Sequence, residues 1–247
     1  MPDFWEASAL FVVTFIASVL GATTGFGSAI IVLPTLVAAV GPRDAVGALT
    51  IIQIVGNGSR VFYNRGEINL EIFKWYALGA LPAAALGALA FSKAHIDLIT
   101  LLVGIFLLLS VLLNWLKIHW HGPLRPQNFT LIGGIFSLIS ALVGSAGPLM
   151  APFFLRYGLS KGAYIGTEAI CALLTHLAKI VLYGGLAVLT WSSVLIGITL
   201  SPAAVVGALI GKKIVEKMSP SGFTRIVEIA VFLMGLFIVF RSIAGEK

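Results

Sequence analysis

The feature that most constrains this chain is a series of long apolar runs separated by short polar loops. We place the runs at 5–22, 28–40, 44–63, 72–91, 96–117, 127–144, 148–157, 162–183, 191–211 and 222–243. A helix needs about 20 predominantly apolar residues to cross the hydrocarbon core of a bilayer. The pattern predicts an all-α polytopic membrane protein with about 8–10 transmembrane segments.

The composition excludes a soluble domain as the main body of the chain. Apolar residues make up 59% and charged residues 11%, whereas a soluble domain has about 25% charged residues. The net charge of +6 comes from cations at segment ends. The sequence lacks a basic run with interleaved aromatic residues, which would indicate nucleic-acid binding. Cys171 is the single cysteine, so we expect neither a disulfide framework nor a metal site, and the sequence indicates no cofactor.

The distribution of Lys and Arg predicts the orientation in the membrane. One side of the predicted topology holds ten of these residues in its loops and their flanks, and the other side holds four. Cytoplasmic loops carry the excess of cations in membrane proteins. We therefore place the richer side in the cytoplasm and both termini outside.

Two glycine-rich stretches interrupt apolar segments where a spanning helix would not need them. The first break is 23–28, Thr-Thr-Gly-Phe-Gly-Ser, and the second is 144–148, Gly-Ser-Ala-Gly-Pro. Glycine costs about 1 kcal/mol against alanine inside a helix. Irregular backbone at membrane depth is tolerated only inside protein or beside a water-filled cavity. The runs 28–40 and 148–157 that follow are too short to span the bilayer, and we predict half-helices that either cross partway or re-enter.

Each break precedes the N-terminus of a predicted half-helix, which exposes free N–H groups and a partial positive charge. Such an N-terminus in a dry cavity binds anions. The alternative is a packing kink that lets helices touch. The candidate substrate contacts at the breaks are Thr24, Gly25, Phe26, Gly27, Ser28, Ser145, Ala146 and Gly147.

The two halves of the chain repeat. A shift of about 119 residues pairs Gly47 with Gly166, Asn57 with His176, Arg60 with Lys179 and Gly66 with Gly185. The motif Pro-Ala-Ala-x-x-Gly recurs at 82–87 and 202–207. We predict an N-terminal repeat over 1–120 and a C-terminal repeat over 121–247, together forming one membrane domain. Each repeat has an odd number of crossings, which predicts inverted orientations, a plan common among secondary transporters.

A polar face of the third segment predicts a second part of the site. It carries Gln53, Asn57 and Arg60, and its repeat counterpart carries His176 and Lys179. Ionisable groups within a membrane are functional candidates by default, and paired cations suit an anion. The alternative for the two cations is that they extend to the lipid headgroups.

Glu168 lies two turns before His176 on a similar face. Either residue could carry a coupling proton, since imidazole changes charge near neutral pH. A hydrogen bond between helices would explain either residue as well.

No motif indicates an enzyme, since H-E-x-x-H and Walker sequences are absent and no nucleophile elbow follows a predicted strand. Small residues at helical spacing, Gly79, Ala83 and Gly87 in one half and Ala203, Gly207 and Gly211 in the other, indicate helix packing. An exposed face of this kind would also permit a homodimer. An anion channel and a non-transporting membrane scaffold are the rival classes to a transporter.

The first half of the chain resembles the TauE/SafE family of membrane proteins. The similar stretches are G-F-G-S-A-I-I-V-L-P at 25–34, P-R-D-A-V-G-A-L-T at 42–50, N-x-x-R at 57–60 and N-R-G-E-I-N at 64–69. The second half is less similar, because G-S-A-G-P stands where the family more often has a run of glycines.

The resemblance implies a secondary transporter that exports small sulfur-containing anions, such as sulfite, sulfoacetate or other sulfonates, across a prokaryotic plasma membrane. It also implies that both breaks and Asn57 and Arg60 contact the substrate, with His176 and Lys179 as their repeat counterparts. We expect alternating access, coupled to a proton or driven by the substrate gradient. The alternatives are an anion channel and a transporter of another small anion such as a carboxylate.

Overall fold

The computed structural model describes residues 4–24, 28–116, 124–159, 161–215, 232–233, 235–236 and 238–240. Those residues form helices and turns, with no strand. The helices are α1 (Phe4–Thr24), α2 (Ala29–Val40), α3 (Pro42–Tyr63), α4 (Leu70–Lys93), α5 (Ile96–Trp115), α6 (Asn128–Val143), α7 (Gly147–Arg156), α8 (Lys161–Gly185) and α9 (Trp191–Val215). The all-α prediction is confirmed, and the predicted segments match these helices to within a few residues.

Within the described part of the chain, five stretches are long and apolar enough to cross a membrane: Pro42–Tyr63, Leu70–Lys93, Ile96–Leu113, Gly162–Gly185 and Trp191–Ile210. Shorter apolar helices cover Phe4–Val19, Ala29–Val40 and Asn128–Val143. Many large apolar side chains on these helices are exposed, as expected for side chains that face lipid. The protein is a polytopic helical membrane protein.

The second predicted break separates two helices, since the chain leaves α6 at Val143 and enters α7 at Gly147. At the first break, α1 is described to Thr24 and α2 begins at Ala29, and residues 25–27 lie outside the described part of the chain. The half-helices α2 and α7 have 12 and 10 residues, which corresponds to about 15–18 Å at 1.5 Å per residue. Neither reaches across a core of about 30 Å.

Helix packing follows the repeat. If α1–α4 correspond to α6–α9, then the contact of α4 with α6 has the contact of α9 with α1 as its counterpart, and both are extensive. Likewise α3 packs against α9 while α8 packs against α4, and α3 and α8 pack against each other. Such matching contacts are what the repeat predicted from the sequence leads one to expect. The predicted inversion stays a prediction.

Glycines allow the closest of these contacts, as the small-residue spacing indicates. A methyl group at Gly79 would overlap the Thr130 carbonyl of α6, and one at Gly207 would overlap the Phe15 carbonyl of α1. The two glycines lie in the corresponding helices α4 and α9, so both halves use the same means of close approach.

Two predictions concern residues largely outside the described part of the chain. The predicted boundary between the repeats, at residue 120, lies in the undescribed stretch 117–123. The tenth predicted segment, 222–243, is described only at 232–233, 235–236 and 238–240, where it is helical.

Candidate functional site

A small cavity lies where α3, α4, α6, α7 and α8 meet. The empty space bordered by its lining, with the open solvent at its mouth included, is about 360 Å³. Eight of the predicted site residues line it: Gln53, Asn57, Arg60, Ser145, Ala146, Gly147, Glu168 and His176. The remaining lining residues are Tyr76, Phe136, Ser140, Met150, Ala172 and Thr175. The two faces matched by the repeat, on α3 and on α8, therefore border one cavity.

The α3 face lies along one side of the cavity. Gln53 and Asn57 are buried, with 5% and 1% of their surface exposed. The Arg60 guanidinium is one turn further along α3, and its Nη2 donates to Asn57 Oδ1. This bond fixes the direction of the Asn57 amide, because an amide that accepts through its oxygen turns its Nδ2 away from the donor.

Arg60 also joins α3 to α8. Its Nη1 lies 3.2 Å from Glu168 Oε2, and the two side chains are only 11% and 3% exposed. A buried ion pair is not by itself strong evidence for stability, because both charges lose their hydration. The pair does place a carboxylate directly beside the cation predicted to attract the substrate.

Two buried nitrogen atoms in the cavity wall have neither a hydrogen-bond nor an ion-pair partner among the described residues. They are Nδ2 of Asn57 and Nδ1 of His176, in side chains that are 1% and 2% exposed. Buried polar atoms are nearly always satisfied, so each exception requires an explanation. A ligand in the cavity would supply the missing partners.

The second break opens onto the cavity at the start of α7. Gly144 has a φ of 98°, a backbone conformation that favours glycine, and it ends α6. The Ala146 carbonyl accepts the first bonds of α7, from Leu149 and Met150, and no side chain caps the helix. Since Gly147 precedes the first intrahelical donors of α7, its N–H has no carbonyl within the helix to bond.

Lys179 lies beside this break and is absent from the described cavity lining. It is fully buried, and its Nζ donates to the carbonyls of Ser140 and Gly144, at 2.8 Å each. Tyr183, one turn later on α8, donates to the Ala141 carbonyl. These two side chains therefore bond the last turn of α6. Lys179 does not extend toward headgroups, and the structure places it against backbone instead of against the cavity.

The first break contributes less to what the structure describes of the site. Ser28 is buried, and its carbonyl accepts from Ile31 and Val32 at the start of α2, but it does not line the described cavity. Thr24 is the last residue of α1. Gly25, Phe26 and Gly27 lie outside the described residues, so their predicted substrate contacts stay predictions.

Sequence reasoning missed several polar lining residues, above all Tyr76, Ser140 and Thr175. Tyr76 follows Trp75 near the start of α4, where an aromatic pair suggests an interfacial anchor. Ser140 and Thr175 resemble the small polar residues that pack membrane helices. For Thr175, the adjacent His176 was the available signal, because neighbouring positions on α8 can border the same cavity.

Comparison with known proteins agrees with this architecture. The family model described as sulfite exporter TauE/SafE matches residues 10–238. The chain is 23% identical, over 91% of its length and 96% of the relative's, to "Probable membrane transporter protein YjnA" of Bacillus subtilis (strain 168). It is 29% identical, over 59% of its length and 58% of the relative's, to "Probable membrane transporter protein ORF9" of Sinorhizobium sp.

No solved structure matches the chain. The family match covers nearly the whole sequence and includes every described residue that lines the cavity. This membrane protein therefore belongs to the TauE/SafE family of sulfite exporters and membrane transporters.

Proposed function

We propose that the protein exports a small sulfur-containing oxyanion, sulfite or an organic sulfonate, which binds in the cavity between α3 and α8. The observation that carries this proposal is the pair of unpartnered buried nitrogens, Asn57 Nδ2 and His176 Nδ1, in the wall of that cavity. An Asn amide nitrogen is always a donor, and a His ring nitrogen is one when it is protonated. Oxyanions carry several acceptor oxygens and no obligatory donor.

The charges around the cavity also suit an anion. The open start of α7 adds a partial positive charge, and the Arg60 guanidinium presents a planar set of donors that matches oxyanion geometry. Gln53 supplies a further amide.

Coupling to a proton follows from the Arg60–Glu168 pair. While Glu168 is ionised, its carboxylate occupies the guanidinium that the anion needs. A proton on Glu168 would remove that competition, so binding of the anion and of the proton would favour each other. The two would then be carried in the same direction, and the outward gradient of the anion would drive its export. His176 is the second proposed proton carrier, since its ring also lines the cavity.

Transport would follow alternating access, with the ligand held between repeat-related helices while one set of helices moves against the other. We place the protein in a prokaryotic plasma membrane with both termini outside and the arginine-rich and lysine-rich loops in the cytoplasm. A homodimer stays a prediction from the small-residue faces.

A thermal-shift screen of the purified protein tests the substrate class. Sulfite, sulfoacetate, taurine, thiosulfate and sulfate are compared with carboxylate controls. We expect stabilisation by one of the sulfur anions, because a ligand that binds only the folded state raises its stability. Stabilisation by carboxylates alone would move the assignment to a carboxylate transporter. No stabilisation by any anion would favour the scaffold class, and currents far above transporter turnover would favour a channel.

Variants locate the site. Asn57→Ala and His176→Ala should abolish the anion-dependent shift while the protein stays folded. His95→Ala is a matched control, because His95 is exposed and is not among the described lining residues. Normal binding by both cavity variants would overturn the cavity assignment. Uptake of radiolabelled anion into proteoliposomes at two pH values tests the proton, and equal rates with and without a pH gradient would contradict coupling.

A further inference from the structure

Three hydroxyl groups from three helices meet beside the cavity. The Tyr76 hydroxyl of α4 lies 3.0 Å from Thr175 Oγ1 of α8 and 3.2 Å from Ser137 Oγ of α6. Ser137 and Thr175 are themselves 2.8 Å apart. All three residues are buried, with at most 3% of their surface exposed. We call this group the hydroxyl triangle.

The hydroxyl triangle has fewer hydrogens than contacts. Thr175 Oγ1 also lies 3.2 Å from the Cys171 carbonyl, to which only the hydroxyl can donate. The four contacts need four donated hydrogens, and three hydroxyls supply three. One contact is therefore always unmade. The group can rearrange its hydrogens without leaving a hydroxyl hydrogen stranded in an apolar environment.

One arrangement frees the Tyr76 hydrogen. Ser137 donates to Thr175 over the shortest contact, and Thr175 donates to the Cys171 carbonyl. The Tyr76 hydroxyl is then the only member whose hydrogen is not committed to one acceptor, because both Ser137 Oγ and Thr175 Oγ1 are within its reach. Tyr76 also lines the cavity, and it is the residue that α4 contributes to the described lining.

We propose that Tyr76 donates its hydroxyl hydrogen to an oxygen of the bound anion and so helps to select oxyanions. This inference rests on the proposed function, because it concerns the same cavity. Binding would exchange a contact within the triangle for a bond to a charged acceptor, and hydrogen bonds to charged groups are stronger than neutral ones. This donor would come from α4, whereas the side-chain donors that the sequence predicted lie on α3 and α8.

The test uses sodium sulfite and methanesulfonate as probes, or whichever sulfur anion stabilises the wild-type protein, titrated into the purified full chain by calorimetry. Tyr76→Phe removes the hydroxyl and keeps the ring. We expect its affinity for the anion to fall roughly tenfold or more, the scale of a lost bond to a charged partner. Wild-type affinity in Tyr76→Phe would overturn the inference.

Ser137→Ala separates a ligand contact from a structural network. Ser137 belongs to the hydroxyl triangle but is not among the described lining residues. Its removal takes away one acceptor that competes for the Tyr76 hydrogen, so anion affinity should stay the same or rise while thermal stability falls. If the triangle acts only by holding the helices, Ser137→Ala should weaken binding, and this result overturns the inference even if Tyr76→Phe does not fold.

The two proposals fail differently. If the wild-type protein binds no anion, the proposed function fails and the role of Tyr76 fails with it. If the wild-type protein binds an anion and His176→Ala does not, the cavity assignment holds. The same affinity in Tyr76→Phe as in the wild type would then overturn the Tyr76 inference alone.

Discussion

Arg60 and Lys179 occupy corresponding positions in the two repeats but contact different partners. The Arg60 guanidinium contacts side chains, the Glu168 carboxylate and the Asn57 amide, in the wall of the cavity. The Lys179 ammonium contacts backbone, the Ser140 and Gly144 carbonyls at the end of α6. The carboxylate beside Arg60 can be neutralised by a proton, whereas the carbonyl groups beside Lys179 cannot take up a proton.

The comparison shows what a repeat preserves. It preserves the position of a cation on a helix, whereas the neighbouring helix decides what that cation binds. The guanidinium has a planar fork of donors that matches a carboxylate or an oxyanion. The ammonium is a compact point charge, which suits a cluster of carbonyls at the negative end of a helix. We therefore expect Arg60 to act in binding and Lys179 to position the second break.

The largest effect should follow from loss of the Arg60 charge. Arg60→Met leaves Glu168 buried without its cation, and removal of one partner of a buried pair costs about 3–5 kcal/mol. We expect a large drop in melting temperature in detergent and no anion binding. The double variant Arg60→Met/Glu168→Met should recover most of the stability, because well-packed apolar residues often replace such a pair at little cost.

The double variant should still bind no anion, which separates stability from function. If Arg60→Met melts at the wild-type temperature, the ion pair does not hold α3 to α8. If the double variant binds sulfite with wild-type affinity, Arg60 is no part of the anion site. Melting curves and anion titration on the same preparations distinguish these outcomes.

A smaller effect should follow from Lys179→Met, which keeps the length of the side chain and removes its donors. The Ser140 carbonyl retains the Gly144 N–H as a donor, but the Gly144 carbonyl loses its Lys179 partner. A buried polar group left unsatisfied costs about 1–3 kcal/mol. We expect a lower melting temperature and a weaker anion response, since Ser145–Gly147 follow directly after the carbonyls that Lys179 holds.

Anions of different charge distinguish the two possible roles of Lys179. If Lys179 acts through the break, Lys179→Met should weaken the binding of monovalent and of divalent anions by the same factor. If Lys179 contacts the substrate, as the repeat predicts from the sequence, the divalent anion should lose more. Titration with methanesulfonate and sulfate measures both factors, and a larger loss for sulfate would restore Lys179 to the binding site.

These cations also show how far the sequence could predict the molecule. Apolar run lengths and glycine-rich breaks located the helices and half-helices, because bilayer thickness and backbone satisfaction leave few other solutions. Helical spacing placed Gln53, Asn57 and Arg60 on one face, and the repeat added His176. Glu168 and Arg60 were each identified as candidates, but the ion pair between them was not predicted.

The partner of Lys179 could not be predicted for a physical reason. Carbonyl groups belong to every residue, so a buried cation that binds backbone has no distinctive partner in the sequence. Which carbonyls are free depends on Gly144, whose φ of 98° ends α6, and on how α8 crosses that end. The hydroxyl triangle escaped for a similar reason, because Tyr76, Ser137 and Thr175 meet only through packing.

The smallest effects should appear where the two repeats match. Asn69 caps α4, since its Oδ1 accepts from the Ile72 N–H at 3.1 Å. Thr190 caps α9, since its Oγ1 accepts from the Ser193 N–H at 3.0 Å. Both caps also reach a repeat-related helix. The Asn69 N–H donates to Thr167 Oγ1 of α8, and the Thr190 hydroxyl donates to the Asp44 carboxylate of α3.

Asn69→Ala should cost about 1 kcal/mol, the usual value for a lost N-cap, because its bond to Thr167 is made by the backbone N–H and remains. Thr190→Ala loses its cap and also the hydroxyl bond to the Asp44 carboxylate, so its cost should be larger. Both variants should leave anion affinity within about twofold of wild type. Thr190→Ser is the matched control, because serine keeps the hydroxyl that makes both bonds, and it should melt close to wild type. Melting temperature and sulfite titration check all three variants. The Arg60 and Lys179 variants should change anion binding while neither cap variant does, because the caps satisfy backbone N–H groups away from the described cavity lining. A cap variant that abolished anion binding, or an Asn69→Ala protein less stable than Thr190→Ala, would contradict this account.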